Sequence, residues 1–413
     1  MSELVYRRNS CRICEKNDLD LVLKLTPTPP VDAFISADHV HKVQETFPLD
    51  LFLCRSCGHA QLLDVVAPKV LFGNYIYETA SSPGLVEHFR KYADEVVSLL
   101  NPAQNALVVD VGSNDGTLLR FFKEKGMRVL GIDPATEIGL KATQVGIETI
   151  PAFFGATVGR EVKRTHGPAA VITANNVFAH ADNLGDMANG VRDLLASDGV
   201  FVFEVSYLLD MIDGMVFDFI YHEHLSYHSI KPLDIFLRRH GLEMVNISKI
   251  PTKGGSIRVM AQQAGGPLKR SPSVDKLIEL EEGSGLNGPD IFRTYSSKIN
   301  RVRDRVQSLL GDLTRKNKTI AGYGASATGT VLLYHFNLGE KIQFIVDDNQ
   351  SRQGLFSPGF HIPVLSPQVI YERKPGCVVI LAWRFADMIV GTHKSYLDQG
   401  GHFLVPLPEA RII

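Results

Sequence analysis

Between residues 106 and 205 the chain alternates short, β-branched apolar runs with longer stretches whose apolar positions recur at helical spacing. The apolar runs are 106–111, 128–132, 169–173 and 199–205. Repeated strand-then-helix patterning of this kind predicts a parallel sheet with helices on both faces. The pattern returns near the carboxyl end, where 318–323, 341–347, 377–383 and 402–406 are strand-like and the first runs through glycines into a helix. Residues 1–70 are different. Thr26-Pro-Thr-Pro-Pro30 is extended and turn-rich, and 46–53 alternates toward a strand. A helix starts near Ser81-Ser-Pro83, on an N-cap serine and an N1 proline. Residues 265–272 form the best linker, and 277–310 is mostly helical with a break at 283–289. The expected architecture is an α/β chain in three parts: 1–70, 71–265 and 266–413.

Composition adds a compartment and removes some partners. With 413 residues, 45% hydrophobic and 21% charged, the chain is ordinary globular protein. A net charge of -2 gives no field for nucleic acid, and no run of 18 apolar residues or signal peptide is present, so a cytoplasmic protein with no membrane partner is expected. In that compartment Cys11-Arg-Ile-Cys14 and Cys54-Arg-Ser-Cys57 are metal knuckles before they are disulfides. Four thiolates complete a closed tetrahedral Zn2+ site, although His39, His41 and His59 could each replace one. A redox reading needs a single C-x-x-C beside a βαβ unit, which is missing. A segment of about 70 residues so poor in helices needs its metal to fold. Cys377, in an apolar run, belongs to the core.

The turn after the first central strand carries Gly112 and Gly116, with Asp110, Asn114 and Asp115 around them. Glycines bring backbone N–H groups close to a ligand, but negative charge suits a cationic centre better than a phosphate. The next strand ends in Asp133, where a ribose diol would lie. These two strand ends resemble the class I S-adenosylmethionine-dependent methyltransferases. The strand 169–173 then ends at Asn175 and Asn176, which offer neutral amides to adenine or to the methionyl end. Tyr75 and Tyr77 either cover a ligand or pack between modules.

The densest polar stretch is Tyr221-His-Glu-His-Leu-Ser-Tyr-His228. A zinc-protease reading fails because Ser226 stands where the second histidine of HExxH belongs. A histidine titrating near neutrality beside a carboxylate and phenols can instead remove a proton next to a carbonyl. Downstream, Lys253 and Arg258 could meet a diphosphate or a sugar hydroxyl, or face solvent. The carboxyl-terminal turn contains Gly322, Tyr323, Gly324, Ser326 and Thr328, and the following strand ends in Asp347 and Asn349. Its N–H groups and hydroxyls suit a diphosphate at a helix start, while the acids suit a ribose, and NAD remains open.

Taken in order, the paired knuckles, Gly112-Ser-Asn-Asp-Gly116, Asn176-Val-Phe-Ala-His180, Tyr221-His-Glu-His-Leu-Ser-Tyr227 and Gly322-Tyr-Gly-Ala-Ser-Ala-Thr-Gly329 resemble the nucleotide-sugar C-methyltransferases over essentially the whole chain. The resemblance implies a class I methyltransferase domain between a zinc-binding module and a carboxyl-terminal Rossmann-like domain that binds a nucleotide sugar. It implies methylation at C-3 of a thymidine- or guanosine-diphosphate 4-keto-deoxyhexose, with His224 as base and Tyr221 and Glu223 beside it. Two rivals stand: methyl transfer to a sugar oxygen, and a zinc-containing nucleic-acid-binding protein or RNA methyltransferase, against which a pI near 6.7 and the lack of a basic stripe argue.

Overall fold

The computed structural model describes residues 4–71 and 78–413. The amino-terminal lobe contains β1 (Val5–Arg7), β2 (Leu19–Leu23), β3 (Leu51–Cys54), β4 (Ala60–Leu62) and β5 (Asp64–Val66). β2, β3 and β4 form an antiparallel sheet, and β1 pairs with β5. Cys54 closes β3, and Gly58, at φ 81°, turns the chain back so that its N–H reaches the Cys54 carbonyl at 2.7 Å.

The central lobe is the predicted parallel sheet with a two-strand extension. β6 (Leu107–Val111), β7 (Arg128–Ile132), β8 (Thr149–Ile150), β9 (Ala169–Asn175) and β10 (Leu195–Ser206) run parallel. The short β11 (Ser226–Tyr227) leaves this lobe, and β12 (Leu242–Ile250) and β13 (Ser256–Gln263) return antiparallel, giving the order β12-β13-β10-β9-β6-β7-β8. Every residue of β6 is buried, as a strand covered on both faces requires. One cover is the helix Pro83–Leu100, which buries Phe89, Tyr92, Ala93 and Val96 at a helical stripe's spacing.

The carboxyl-terminal lobe repeats the plan. β14 (Ile320–Tyr323), β15 (Ile345–Val346), β16 (Val364–Leu365), β17 (Cys377–Ile380), β18 (Phe403–Val405) and β19 (Arg411–Ile412) lie in the order β16-β15-β14-β17-β18-β19, all parallel except the last pair. The strand expected over 341–347 shrinks to two residues because the N–H groups of Lys341 and Ile342 close a turn on the Leu338 carbonyl. Pro272–Gly283 and Pro289–Arg315 are the interrupted helices. The longer one buries Phe292, Tyr295, Ile299, Val306 and Leu310, and Tyr295 donates to the Met211 carbonyl at 3.3 Å.

One continuous apolar cluster joins the lobes, running from Leu51 through Phe203 and Phe292 to Val378. β11 pairs with β4, so the strand that carries the histidine-rich motif extends the amino-terminal sheet. Among the described residues, no helix is long and apolar enough to cross a membrane.

Candidate active site

At the carboxyl end of β6 the chain makes the turn the glycines predict. Gly112 (φ 72°) donates its N–H to the Ile132 carbonyl at 2.8 Å, Asn114 (φ 50°) donates its N–H to Asp133 Oδ2 at 2.8 Å, and Gly116 (φ 76°) opens a helix. Asp133 also accepts from Ala135 N–H at 2.8 Å, so the second-strand acid braces the first turn. Asp110 is buried, takes the Thr173 hydroxyl at 2.6 Å, and burial pushes its carboxyl up to about 7. The side chains of Asn114 and Asp115 are engaged with the backbone just ahead of the first long helix: Asn114 Oδ1 accepts Thr79 N–H at 2.9 Å and Asp115 Oδ2 accepts Ala80 N–H at 2.7 Å. Asn175 ends β9, and the neighbouring Asn176 (φ 59°) donates its N–H to the Glu204 carbonyl at 2.8 Å. Tyr75 and Tyr77 lie outside the described residues.

The motif histidines share one device. Each places a ring nitrogen against a backbone carbonyl: His222 Nε2 to Phe47 at 3.1 Å, His224 Nδ1 to Phe219 at 2.8 Å, and His228 Nε2 to Phe178 at 3.4 Å. A carbonyl only accepts, so that nitrogen carries the proton and the other keeps its lone pair. His224 is thereby an Nδ1–H tautomer whose Nε2 keeps the lone pair. Its ring lies 4.1 Å from that of Tyr221 and 5.1 Å from that of His180, centroid to centroid. The expectation of titration near neutrality is corrected: burial lowers His224 to about 3 and His222 and His228 to about 4. All three are neutral at physiological pH, so each ring keeps a lone pair, although the same burial weakens it as a base.

Glu223 is half-buried beside them, and burial, with Asp32 adding repulsion, raises its carboxyl to about 8. Lys253 remains reachable by solvent, yet the dense protein around its ammonium lowers it to about 8 against the opposing pull of Glu223. Its backbone sits at φ 55°, ahead of Gly254 and Gly255 at φ 85° and 124°. Arg258 faces neither solvent nor an open site. It is buried, pairs with Glu204 at 2.7 Å and with Glu95, and stacks 4.1 Å over Tyr92, so its charge is neutralised inside the central lobe.

At the carboxyl-terminal turn, Gly322 lies within β14, Tyr323 ends it and Gly324 takes φ 103°. Ser326 caps the next helix by accepting Gly329 N–H at 3.2 Å, and Thr328 Oγ1 lies 3.0 Å from that hydroxyl. Asp347 accepts Ala325 N–H at 2.5 Å and Asn349 N–H at 2.7 Å. Tyr323 donates to Asp348 at 2.9 Å, with His393 Nε2 3.0 Å away. Three cations gather elsewhere, in a cleft of about 530 Å³ between the central and carboxyl-terminal lobes lined by Lys253, Arg384 and Arg411 with Trp383 and Phe385, and with Asp387, which pairs with Arg411 at 3.5 Å. Buried Asp218 holds that wall by accepting Trp383 Nε1–H at 2.8 Å and Arg384 at 3.4 Å.

Comparison with known proteins gives three consecutive family matches: a zinc binding domain over residues 11–72, a methyltransferase domain over 86–247 and a C-methyltransferase C-terminal domain over 251–408. The C-methyltransferase NovU of Streptomyces niveus is 36% identical over 414 aligned positions, covering 100% of this chain and 99% of NovU. The chain belongs to the C-methyltransferase family. Among solved structures, the magnesium protoporphyrin IX methyltransferase ChlM of Synechocystis with bound SAM matches 48% of this chain and 89% of its own at 15% identity and TM-score 0.34. The CcbJ methyltransferase of Streptomyces caelestis matches 48% of this chain and 96% of its own at 14% identity and TM-score 0.36.

This C-methyltransferase depends on S-adenosylmethionine, which supplies an electrophilic methyl group when bound. Its zinc site is assembled as the knuckles predict. The sulfurs of Cys11, Cys14, Cys54 and Cys57 all lie within 4.8 Å of one another, with Cys11–Cys57 at 3.6 Å and Cys14–Cys54 at 3.5 Å. Thiolates about 2.3 Å from a tetrahedral zinc stand about 3.8 Å apart, so the four fit that ion. Reading the sequence missed His180 as a ring neighbour of His224, and Asp32, Asp218 and Arg384 altogether. His180 carries a usable signal in its motif; the other three sit in stretches with none.

Proposed function

We propose that this C-methyltransferase methylates C-3 of a nucleoside-diphosphate 4-keto-deoxyhexose in the cytoplasm, through an enolate generated by His224. The observation that carries the proposal is the Nδ1 contact of His224 with the Phe219 carbonyl, which leaves Nε2 as a neutral base packed against Tyr221. A proton on carbon beside a ketone is too weakly acidic to leave without a positioned base and a donor at the ketone oxygen. His224 Nε2 takes that proton, and the Tyr221 phenol and the protonated Glu223 carboxyl donate to the ketone oxygen. The cofactor end of β6 holds the methyl donor through the Gly112–Gly116 turn and Asp133. The turn over residues 322–328 and Asp347 take the nucleoside end, and Lys253 and Arg384 in the adjoining interlobe cleft meet the diphosphate. Burial of the imidazoles keeps water from competing for the donor methyl group.

The test supplies S-adenosylmethionine carrying a 13C methyl group together with thymidine-, guanosine- and uridine-diphosphate 4-keto-deoxyhexoses, and reads the product by NMR. Label appearing on carbon next to the ketone is expected. Label on a sugar oxygen, or no transfer to any sugar nucleotide, would overturn the proposal.

A further inference from the structure

Arg12 stands between the first two zinc ligands in sequence, and its side chain is completely inaccessible to solvent. Its bonds leave the zinc lobe in two directions. The guanidinium donates through Nε to Asp182 Oδ1 at 3.0 Å, with its second terminal nitrogen at ion-pair distance, 2.9 Å, from the same oxygen. Its other terminal nitrogen donates to the carbonyls of Leu62 and of Leu225, the latter at 3.4 Å, and to Gln61 Oε1 at 3.1 Å. Asp182 lies two residues beyond His180, and Leu225 directly follows His224.

The two loops that carry these histidines also touch each other directly. Leu225 and Ser226 both donate their N–H groups to the Ala179 carbonyl, at 2.9 and 3.1 Å. Leu62 donates its N–H to the same Leu225 carbonyl that Arg12 approaches, at 3.0 Å. Asp182 is further held by Arg8 at 3.3 Å and by the Tyr6 hydroxyl. A planar guanidinium with donors fixed in a fork can hold a carboxylate on one side and carbonyls on the other, which a flexible ammonium cannot do.

We infer that Arg12 is a positioning residue for methyl transfer: it clamps the His180 loop to the His224 loop, and so sets the 5.1 Å separation of the two imidazoles from within the zinc knuckle. The zinc lobe then has a second task beyond folding itself. It presents one rigid cation to both halves of the base site. A shift of about 1 Å at a reacting group is enough to cost about two orders of magnitude in rate, so loosening the clamp acts on turnover more than on cofactor binding. The inference rests on His224 being the base proposed above.

The experiment compares Arg12→Met, Arg12→Lys and Asp182→Asn with the wild type as full-length, zinc-loaded protein bound to S-adenosylhomocysteine. Histidines labelled with 13C at Cε1 report each imidazole by NMR, with His180 and His224 assigned from their asparagine variants. Zinc content and S-adenosylhomocysteine affinity are expected to stay within about twofold of wild type while the His180 and His224 signals shift or broaden. Turnover should fall at least 30-fold with the KM for S-adenosylmethionine nearly unchanged, and Arg12→Lys should recover less than a tenth of it. Should Arg12→Met fail to fold, Asp182→Asn, on a half-exposed partner, still must move the His180 signal.

Unmoved imidazole signals in folded, zinc-loaded variants would overturn the inference, as would a simple drop in melting temperature with wild-type turnover. Failure of the base assignment looks different: His224→Asn would then transfer methyl groups at the wild-type rate whatever the Arg12 variants do.

Discussion

Two turns in this protein occupy the same place in two sheets and have been given different chemistry. Gly112 follows β6 and Gly324 follows β14, and each donates its N–H at 2.8 Å to the last residue of the adjacent strand, Ile132 or Val346. In each lobe the acid ending that second strand, Asp133 or Asp347, then accepts a backbone N–H of the turn. The scaffold is shared down to single hydrogen bonds. What differs is the side chains hung upon it. Register places Asp110 opposite Gly131 one strand over, and Gly322 opposite Ile345 in the other lobe, so a buried carboxyl in the central sheet corresponds to a bare glycine in the carboxyl-terminal one. The central helix starts on Gly116 with the Asp115 carboxylate accepting the Thr117 N–H at 3.0 Å, whereas the other starts on Ser326, whose hydroxyl accepts the Gly329 N–H at 3.2 Å. Fold alone therefore does not say what a glycine turn binds, and the acids and hydroxyls at its edge must be read one at a time.

Substituting the two glycines should separate the lobes most sharply. In Gly324→Ala the new Cβ would lie 2.5 Å from Ala382 Cβ and 2.9 Å from the Ala382 backbone nitrogen, at φ 103°. Backbone cannot move aside, so a loss of about 3–5 kcal/mol is expected from strain and overpacking together. In Gly112→Ala the obstacle is Val177 Cγ2 at 2.3 Å, a side chain that can rotate. Thermal unfolding should show roughly half the loss there, accompanied by weaker S-adenosylhomocysteine binding. Equal losses would mean that the turns are equally rigid.

Asp110 offers the next effect, and its sign is opposite. Its folded value near 7 exceeds that of the unfolded chain, so the fold favours the neutral acid. The cost is absent below about pH 4, grows as pH rises and is complete above about 7. Asp110→Asn should therefore raise the melting temperature at pH 8 and change it little at pH 4, with a ceiling of about 4 kcal/mol. Destabilisation at pH 8 would show that the carboxylate is held ionised.

The bracing acids give a smaller, two-way test. Asp133→Asn should weaken S-adenosylhomocysteine about tenfold and leave a nucleoside diphosphate alone, and Asp347→Asn should do the reverse, each read by calorimetry; about 1.4 kcal/mol corresponds to that factor. If both substitutions weaken one ligand, the lobes do not bind separate partners. Ser326→Ala completes the series with about 1 kcal/mol of lost capping, visible only in the carboxyl-terminal lobe by hydrogen exchange.

The pattern of strands, helices and knuckles was legible because each is a local property of the chain. β6 and β7 fall on the expected residues, and the four cysteines converge. The fate of Arg258 was not legible: strand parity says which side chains share a face, not that Tyr92 and Glu204 close over that face. Nor could composition sort His222, His224 and His228. Their separation comes from carbonyls at Phe47, Phe219 and Phe178, two of them far away in sequence. The same holds for Tyr323, whose partners Asp348 and His393 arrive from later strands and loops. Long-range partners decide which member of a polar cluster is free to act, and sequence spacing carries little of that information.

The central claim, that His224 makes a carbon nucleophile, is tested most directly by incubating the enzyme in deuterium oxide with the 4-keto sugar nucleotide and S-adenosylhomocysteine in place of the methyl donor. Wild-type protein should exchange the proton at C-3 for deuterium, and His224→Asn should lose that exchange by at least 1,000-fold while binding S-adenosylhomocysteine normally. Exchange that persists in His224→Asn, or a wild-type enzyme that transfers methyl groups yet never exchanges the proton, would contradict the account.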